Sequence, residues 1–126
     1  MDDSILKTAN LQKLIDEVKG LLVESERRFR FLFEQSPDPV FLMEQNLIVD
    51  CNNACIKLLD YNEKKQLVGK KPRDISPEIQ PDGISSAEKE KNFYETVYEK
   101  GHSKFEWIFQ THKGEPIWAD VFITLI

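Results

Sequence analysis

Apolar residues in the first third of the chain recur at Leu11, Ile15, Val18, Leu22, Phe29 and Leu32, in steps of 4, 3, 4, 7 and 3, with Ser25 at the skipped position. Steps of three and four collect these side chains on one stripe of an α-helix, and a heptad seam of this kind packs against another helix. Residues 3–35 contain no proline, are rich in Leu, Lys and Glu, and hold one glycine, Gly20. The pattern therefore predicts a single helix over 3–35. Phe29 to Phe33 lie next to the body of the chain, and packing on that body accounts for them as well as a partner does. Leu11 to Leu22 lie roughly 15–30 Å further out at the helical rise, so a second copy of the chain is expected to cover them. Two prolines in Ser36-Pro37-Asp38-Pro39 stop the helix.

Beyond residue 39 the period changes. Val40–Met43 and Leu47–Asp50 are short runs of β-formers separated by Glu44-Gln45-Asn46, which predicts a hairpin. Asn53–Leu59 carries Ala54, Leu58 and Leu59 at helical spacing, and Lys64–Val68 suggests one further turn. Pro72, Pro77, Pro81 and Gly83 break up the next stretch. Ser85 with Glu88 three residues on is a helix start, and Gly101 after Lys100 is a helix stop. Two longer strands follow, about 103–111 and 116–126, around the turn His112-Lys113-Gly114-Glu115. Hairpins at both ends with helices between them imply an α+β domain built on an antiparallel sheet.

Composition narrows the function classes. The 126 residues carry 17 Lys and Arg against 22 Asp and Glu, a net charge of -5 with the charges interspersed. That excludes the basic face of a nucleic-acid binder. No apolar run approaches the ~20 residues that span a bilayer, and the N-terminus has no apolar signal core. The two cysteines, Cys51 and Cys55, make neither a disulfide framework nor a CxxC metal pair, and point to a reducing compartment, the cytoplasm. Val121-Phe122-Ile123-Thr124-Leu125-Ile126 is a run of β-formers with no turn after it, so more chain is expected beyond Ile126.

Several local motifs, taken in order, resemble a PAS domain over about residues 26–126. Glu26–Pro37 is similar to the family's opening segment. Asp50-Cys51-Asn52-Asn53-Ala54 resembles its Asn-x-Ala signature, and Leu58-Leu59-Asp60-Tyr61 its Leu-x-Gly-Tyr pattern, with Asp60 in place of glycine. Leu67-Val68-Gly69-Lys70, Phe105-Glu106-Trp107 and Lys113-Gly114 match later turns and strands. Ser76–Gly83 is similar to a subgroup found in bacterial and archaeal histidine kinases, diguanylate cyclases and chemoreceptors. The resemblance implies a five-stranded antiparallel sheet in the order 2-1-5-4-3, helices on one face, and a small cavity beneath them. Residues 1–35 then form a lead-in helix and 36–126 the PAS domain. Only four strands are legible; the fifth is expected past Ile126, which leaves the domain truncated and a gap in mid-sheet.

Catalytic chemistry is not legible. His102 and His112 sit in or beside turns, no carboxylate pair is enforced by spacing, and there is no phosphate-binding glycine loop. The chain is therefore expected not to be an enzyme, with no catalytic or metal-ligating residue. The resemblance brings three options, all disfavoured; one, Cys51 and Cys55 as a redox pair, gives way to Cys55 as a small buried hydrophobe. The light-sensing flavin type needs a cysteine where Gly69–Ile75 has none, and the haem type needs a histidine on the long helix, where Ala87–Lys100 has none. A ligand without covalent or metal signature remains, or no ligand at all.

Strand and helix periods name the inward face: Phe41 and Met43; Phe105, Trp107 and Phe109; Val121 and Ile123; and, from helices and loops, Leu58, Ile75, Phe93 and Val97. These residues either close on one another as core or wall a cavity. Asn52, Tyr94 and Thr124 are the polar candidates, although an asparagine at Asn52 also suits a turn, where it bonds nearby backbone. The expected function is regulatory. The module senses a small ligand or relays a change through helices paired along Leu11, Ile15, Val18, Leu22 and Phe29. Its output goes to a C-terminal effector, a histidine kinase ahead of a cyclase or chemoreceptor. A ligand-free dimerisation or docking module is the second expectation. Contact with nucleic acid or membrane is not expected.

Overall fold

A computed structural model describes residues 3–126, with side chains from Ala9 onward. The chain divides into two compact units at Gln35/Ser36. The first is one helix, α1 (Asp3–Gln35). Its heptad positions Leu11, Ile15, Val18, Leu22, Phe29 and Leu32 are exposed, and so are Leu14 and Leu21, which widen the stripe. Local pairs support the helix: Arg28 meets Glu24 at 2.7 Å, and the Gln12 amide donates to Asp16 at 3.0 Å. Among the described residues no helix is long and apolar enough to cross a membrane.

The second unit begins with β1 (Phe41–Glu44) and β2 (Leu47–Cys51), an antiparallel hairpin. Its turn residues Gln45 and Asn46 have φ of 51° and 64°, the left-handed pair that matches strand twist in a two-residue hairpin. A register shift between Leu42 and Met43 makes Cys51 pair with Phe41 but Ile48 with Met43. That bulge lets Ile48 and Cys51, three residues apart, both turn into the core while Val49 faces solvent. Asn52 then caps α2 (Asn53–Leu59), which ends on Asp60 in the left-handed region. Single 3-10 turns at Lys64–Gln66 and Pro72–Ile75 lead to α3 (Ser86–Lys100). β3 (His102–Gln110) and β4 (Pro116–Thr124) form the second antiparallel hairpin. Ile48, Cys51, Cys55, Leu59, Leu67 and Ile75 make the buried centre.

The strands form two sheets of two, β1-β2 and β3-β4, in place of one continuous sheet. These are the neighbour pairs of the expected order, with its central position empty among the described residues. β4 stops at Thr124, two residues short of the sequence expectation. Its last partner is His102, the first residue after the left-handed Gly101 that ends α3. Beyond it the Leu125 N–H turns to the Gly101 carbonyl at 3.0 Å.

Loops cover the two outer edges. On β2, Ile48 N–H donates to Lys70 O at 2.9 Å, and Ile48 O accepts from Gly69 N–H at 2.8 Å. Gly69 holds φ 88°, a backbone state that side chains strain. On β3, the Gln80 side chain stands in for a strand. Its Oε1 accepts from Ile108 N–H at 2.9 Å, and its Nε2 donates to Ile108 O at 3.0 Å and to Ser86 Oγ at 2.9 Å. Because Ile108 turns its backbone outward to Gln80, the pair Ile108–Trp118 is a non-hydrogen-bonded one. By the same alternation the amides of Trp118, Asp120 and Phe122 point away from β3.

Asn52 ties the first hairpin to α2. Its Oδ1 accepts from Val40 N–H at 3.0 Å and Cys55 N–H at 3.2 Å, while its Nδ2 donates to Asp38 O at 2.8 Å. Removing either amide strands buried backbone groups. Asn52→Ala and Gln80→Ala are each expected to lower the unfolding free energy by about 2–3 kcal/mol. Urea midpoints check this, and unchanged midpoints would mean these side chains are not the partners of Val40 and Ile108.

Candidate functional site

α3 presents a mixed face. Ser85 caps it by accepting the Glu88 N–H at 3.1 Å, and its register then places Glu90, Phe93, Tyr94 and Val97 on one side. All four line a cavity of about 580 Å³. The volume falls within the range of small-molecule sites, roughly 300–1,000 Å³.

The opposing wall comes from the strands. β3 supplies Phe105, Trp107 and Phe109; β4 supplies Val121 and Ile123; β1 supplies Phe41 and Met43. Leu58 of α2 and Ile75 of the second 3-10 turn close the side. The inner edges of β1 and β4, which carry no strand partner among the described residues, both border this space. Thus all eleven residues that strand and helix periods placed on the inward face line this space, and the aromatics do not close the interior.

Of the three polar candidates, Asn52 is not on the wall. It is fully buried, with both ends of its amide bound to backbone. It serves as a corner, the other role a turn asparagine can take. Tyr94 and Thr124 do line the cavity, and so does Cys55, whose thiol donates to Val40 O at 3.2 Å. Neither histidine does: His102 is exposed at the start of β3, and His112 lies 4.7 Å from the Tyr61 ring in the β3–β4 turn. Among the described residues no group of three or more His, Cys, Asp or Glu is placed to hold a metal ion. The seam residues Leu11, Ile15, Val18, Leu22 and Phe29 belong to α1 and are exposed there.

Aromatic rings fix the relation of α3 to β3. Phe93 stacks on Phe105 with centroids 3.5 Å apart and planes 8° off parallel. Trp107 stands edge-on to both, at 5.6 Å and 5.8 Å. The Trp107 indole N–H donates to Ser76 Oγ at 2.8 Å, so the buried ring keeps its polar atom satisfied.

One polar group on this face escaped the sequence reading. Glu90 is only 6% exposed. The Tyr94 hydroxyl donates to its Oε1 at 2.9 Å, and Arg73 Nε lies 3.9 Å from its Oε2. Burial raises the Glu90 carboxyl above its ordinary range, with the Tyr94 hydrogen bond and Arg73 pulling the other way. Burial, then the adjacent Glu90, drives the Tyr94 phenol far up. The signal was present: Glu90 precedes Phe93 by three residues and Val97 by seven, a polar residue on the apolar stripe.

A family model described as "PAS domain" matches residues 37–126. No curated protein matches the chain. The chain resembles the solved PAS domain of a HTR-like protein from Haloarcula marismortui, with 20% identity, TM-score 0.67 and 85% of this chain covering 84% of that one. It also resembles a PAS domain from a two-component sensor histidine kinase, at 17% identity, TM-score 0.64, and 82% and 86% coverage. A third is the PAS domain, in complex with ethanol, of a LuxR-family transcriptional regulator from Burkholderia thailandensis, at 21% identity, TM-score 0.61, and 75% and 79% coverage.

The raised Glu90 carboxyl sets a pH dependence. The folded state holds this proton more tightly than the unfolded chain. The stability it contributes is therefore full below the unfolded carboxylate value, about 4.3, and is lost as pH rises through the higher folded value. Glu90→Gln removes that loss. The variant should gain on the wild type in urea midpoint between pH 4 and pH 7.5, and a variant that falls behind over that interval contradicts the assignment.

Proposed function

The chain belongs to the PAS domain family, and on that premise we propose that it is the sensory module of a signal-transduction protein. A small ligand enters the cavity between α3 and the two hairpins and stabilises one arrangement of helix against strand. The change passes to an effector through α1 paired with its counterpart in a second copy. The observation that carries this reading is the cavity itself, about 580 Å³ and lined mainly by apolar side chains with Glu90 and Tyr94 among them. An interior closed by its aromatics would favour docking alone.

The solved relatives support the same reading. One is the PAS domain of a sensor histidine kinase, and another, from a transcriptional regulator, holds ethanol. In this reading the effector is C-terminal and is a histidine kinase, the chain itself contributes no catalytic step, and the ligand needs no metal or covalent anchor. The sparse cysteine usage, Cys51 and Cys55 alone in the sequence, accords with a cytoplasmic setting. A ligand that couples with ~1–3 kcal/mol shifts output about 5–150-fold.

The exposed stripe on α1 supports a second element of the reading, a homodimer. A seam of Leu, Ile and Val left in water is costly, and a partner helix relieves it. It also supports a dimerisation module that needs no ligand, so both features require testing in one sample. Native mass spectrometry of freshly purified protein should show a dimer carrying a small-molecule mass. Val18→Glu with Leu22→Glu should weaken the dimer roughly hundredfold or more. A dimer unaffected by this pair removes the seam from the mechanism, and a dimer that never carries or accepts a small molecule leaves the docking module.

A further inference from the structure

Charge on the cavity wall is one-sided. The acidic side chains that line it are Glu90 and Asp120, and among the described residues no Lys, Arg or His lines it. Asp120 is exposed on β4, whereas Glu90 is buried on α3. A ligand carboxylate or phosphate would therefore meet like charge with no cation to receive it.

Glu90 retains accepting capacity. A carboxylate has about four lone-pair positions. Here Oε1 takes one hydrogen bond from Tyr94, and Oε2 faces Arg73 Nε at 3.9 Å, beyond hydrogen-bond length. Arg73 is itself 42% exposed in its side chain, so water screens much of its charge. One turn along α3 stands the Phe93 ring, stacked on Phe105 with Trp107 edge-on. Aromatic faces attract cations, and their bodies take apolar groups.

We propose that the cavity selects a small hydrophobic amine, its protonated nitrogen donating to Glu90 and its apolar body lying along Phe93, Phe105 and Trp107. The proposal rests on the reading of the cavity as a ligand site and adds the chemical class. Compounds of the same size that end in a carboxylate are excluded by Glu90. An alcohol is admitted more weakly, because a hydrogen bond to a charged partner is stronger when the donor is charged as well.

The test uses the full chain and three matched probes, 2-phenylethylamine, 2-phenylethanol and 3-phenylpropionate, competing with the uncharged dye Nile red. The amine should displace the dye at concentrations roughly tenfold or more below the alcohol, and the carboxylate should not displace it over that range. Glu90→Gln should bring the amine to the level of the alcohol while leaving the alcohol unchanged, which also reports that the variant is folded. Tyr94→Phe, which keeps the carboxylate, should preserve the amine preference. Equal displacement by all three probes, or an amine preference that survives Glu90→Gln, overturns the selection while leaving the cavity as a ligand site. Absence of any dye binding that Val97→Trp can block overturns the cavity reading itself and the selection with it.

Discussion

Backbone hydrogen bonding at strand edges governs how this domain is put together. A strand withdrawn from water must place every N–H and C=O, and a two-stranded hairpin satisfies only one edge of each strand. The two outer edges are satisfied by loops. The Gly69-Lys70 backbone pairs with Ile48 on β2, and the Gln80 amide pairs with Ile108 on β3. The inner edges of β1 and β4 are left to border the cavity. The connecting segments close the outer edges, and the cavity lies inside them. Those segments are the same ones that carry Pro72, Ile75 and Ser76 to the floor beneath Trp107.

Much of this was legible in the sequence because it depends on local periods. Strand alternation put Phe105, Trp107 and Phe109 on one face, and the pairing with Val121, Ala119 and Ile117 keeps them there. Helical spacing put Phe93 and Val97 together, and Ser85 and Gly101 marked the ends of α3 through capping chemistry that needs no tertiary information. The helix over 3–35 followed from composition and the heptad alone.

What escaped depends on contacts between distant segments. Gln80 and Ile108 are 28 residues apart, and nothing local distinguishes a glutamine that replaces a strand from one in solvent. Glu90 was hidden by type: a glutamate on a helix is usually a solvated one. Only the packing of β3 and the turn at Arg73 against that face shows it to be buried. Asn52 was legible in two roles, wall and corner, and contacts across 12 and 14 residues decide for the corner: the amide meets three backbone groups before it can reach the cavity.

The central claim is that β3 and β4 wall the cavity as a hairpin whose outer edge is closed by the Gln80 side chain, and amide hydrogen exchange reads that edge residue by residue. The amides of Ala119 and Val121, bonded between the strands, should be protected in the wild type and in Gln80→Ala alike. The Ile108 amide should be protected in the wild type and exchange rapidly in Gln80→Ala. Protection of Ile108 that survives Gln80→Ala would mean that another group closes the edge, and would contradict this account of the site.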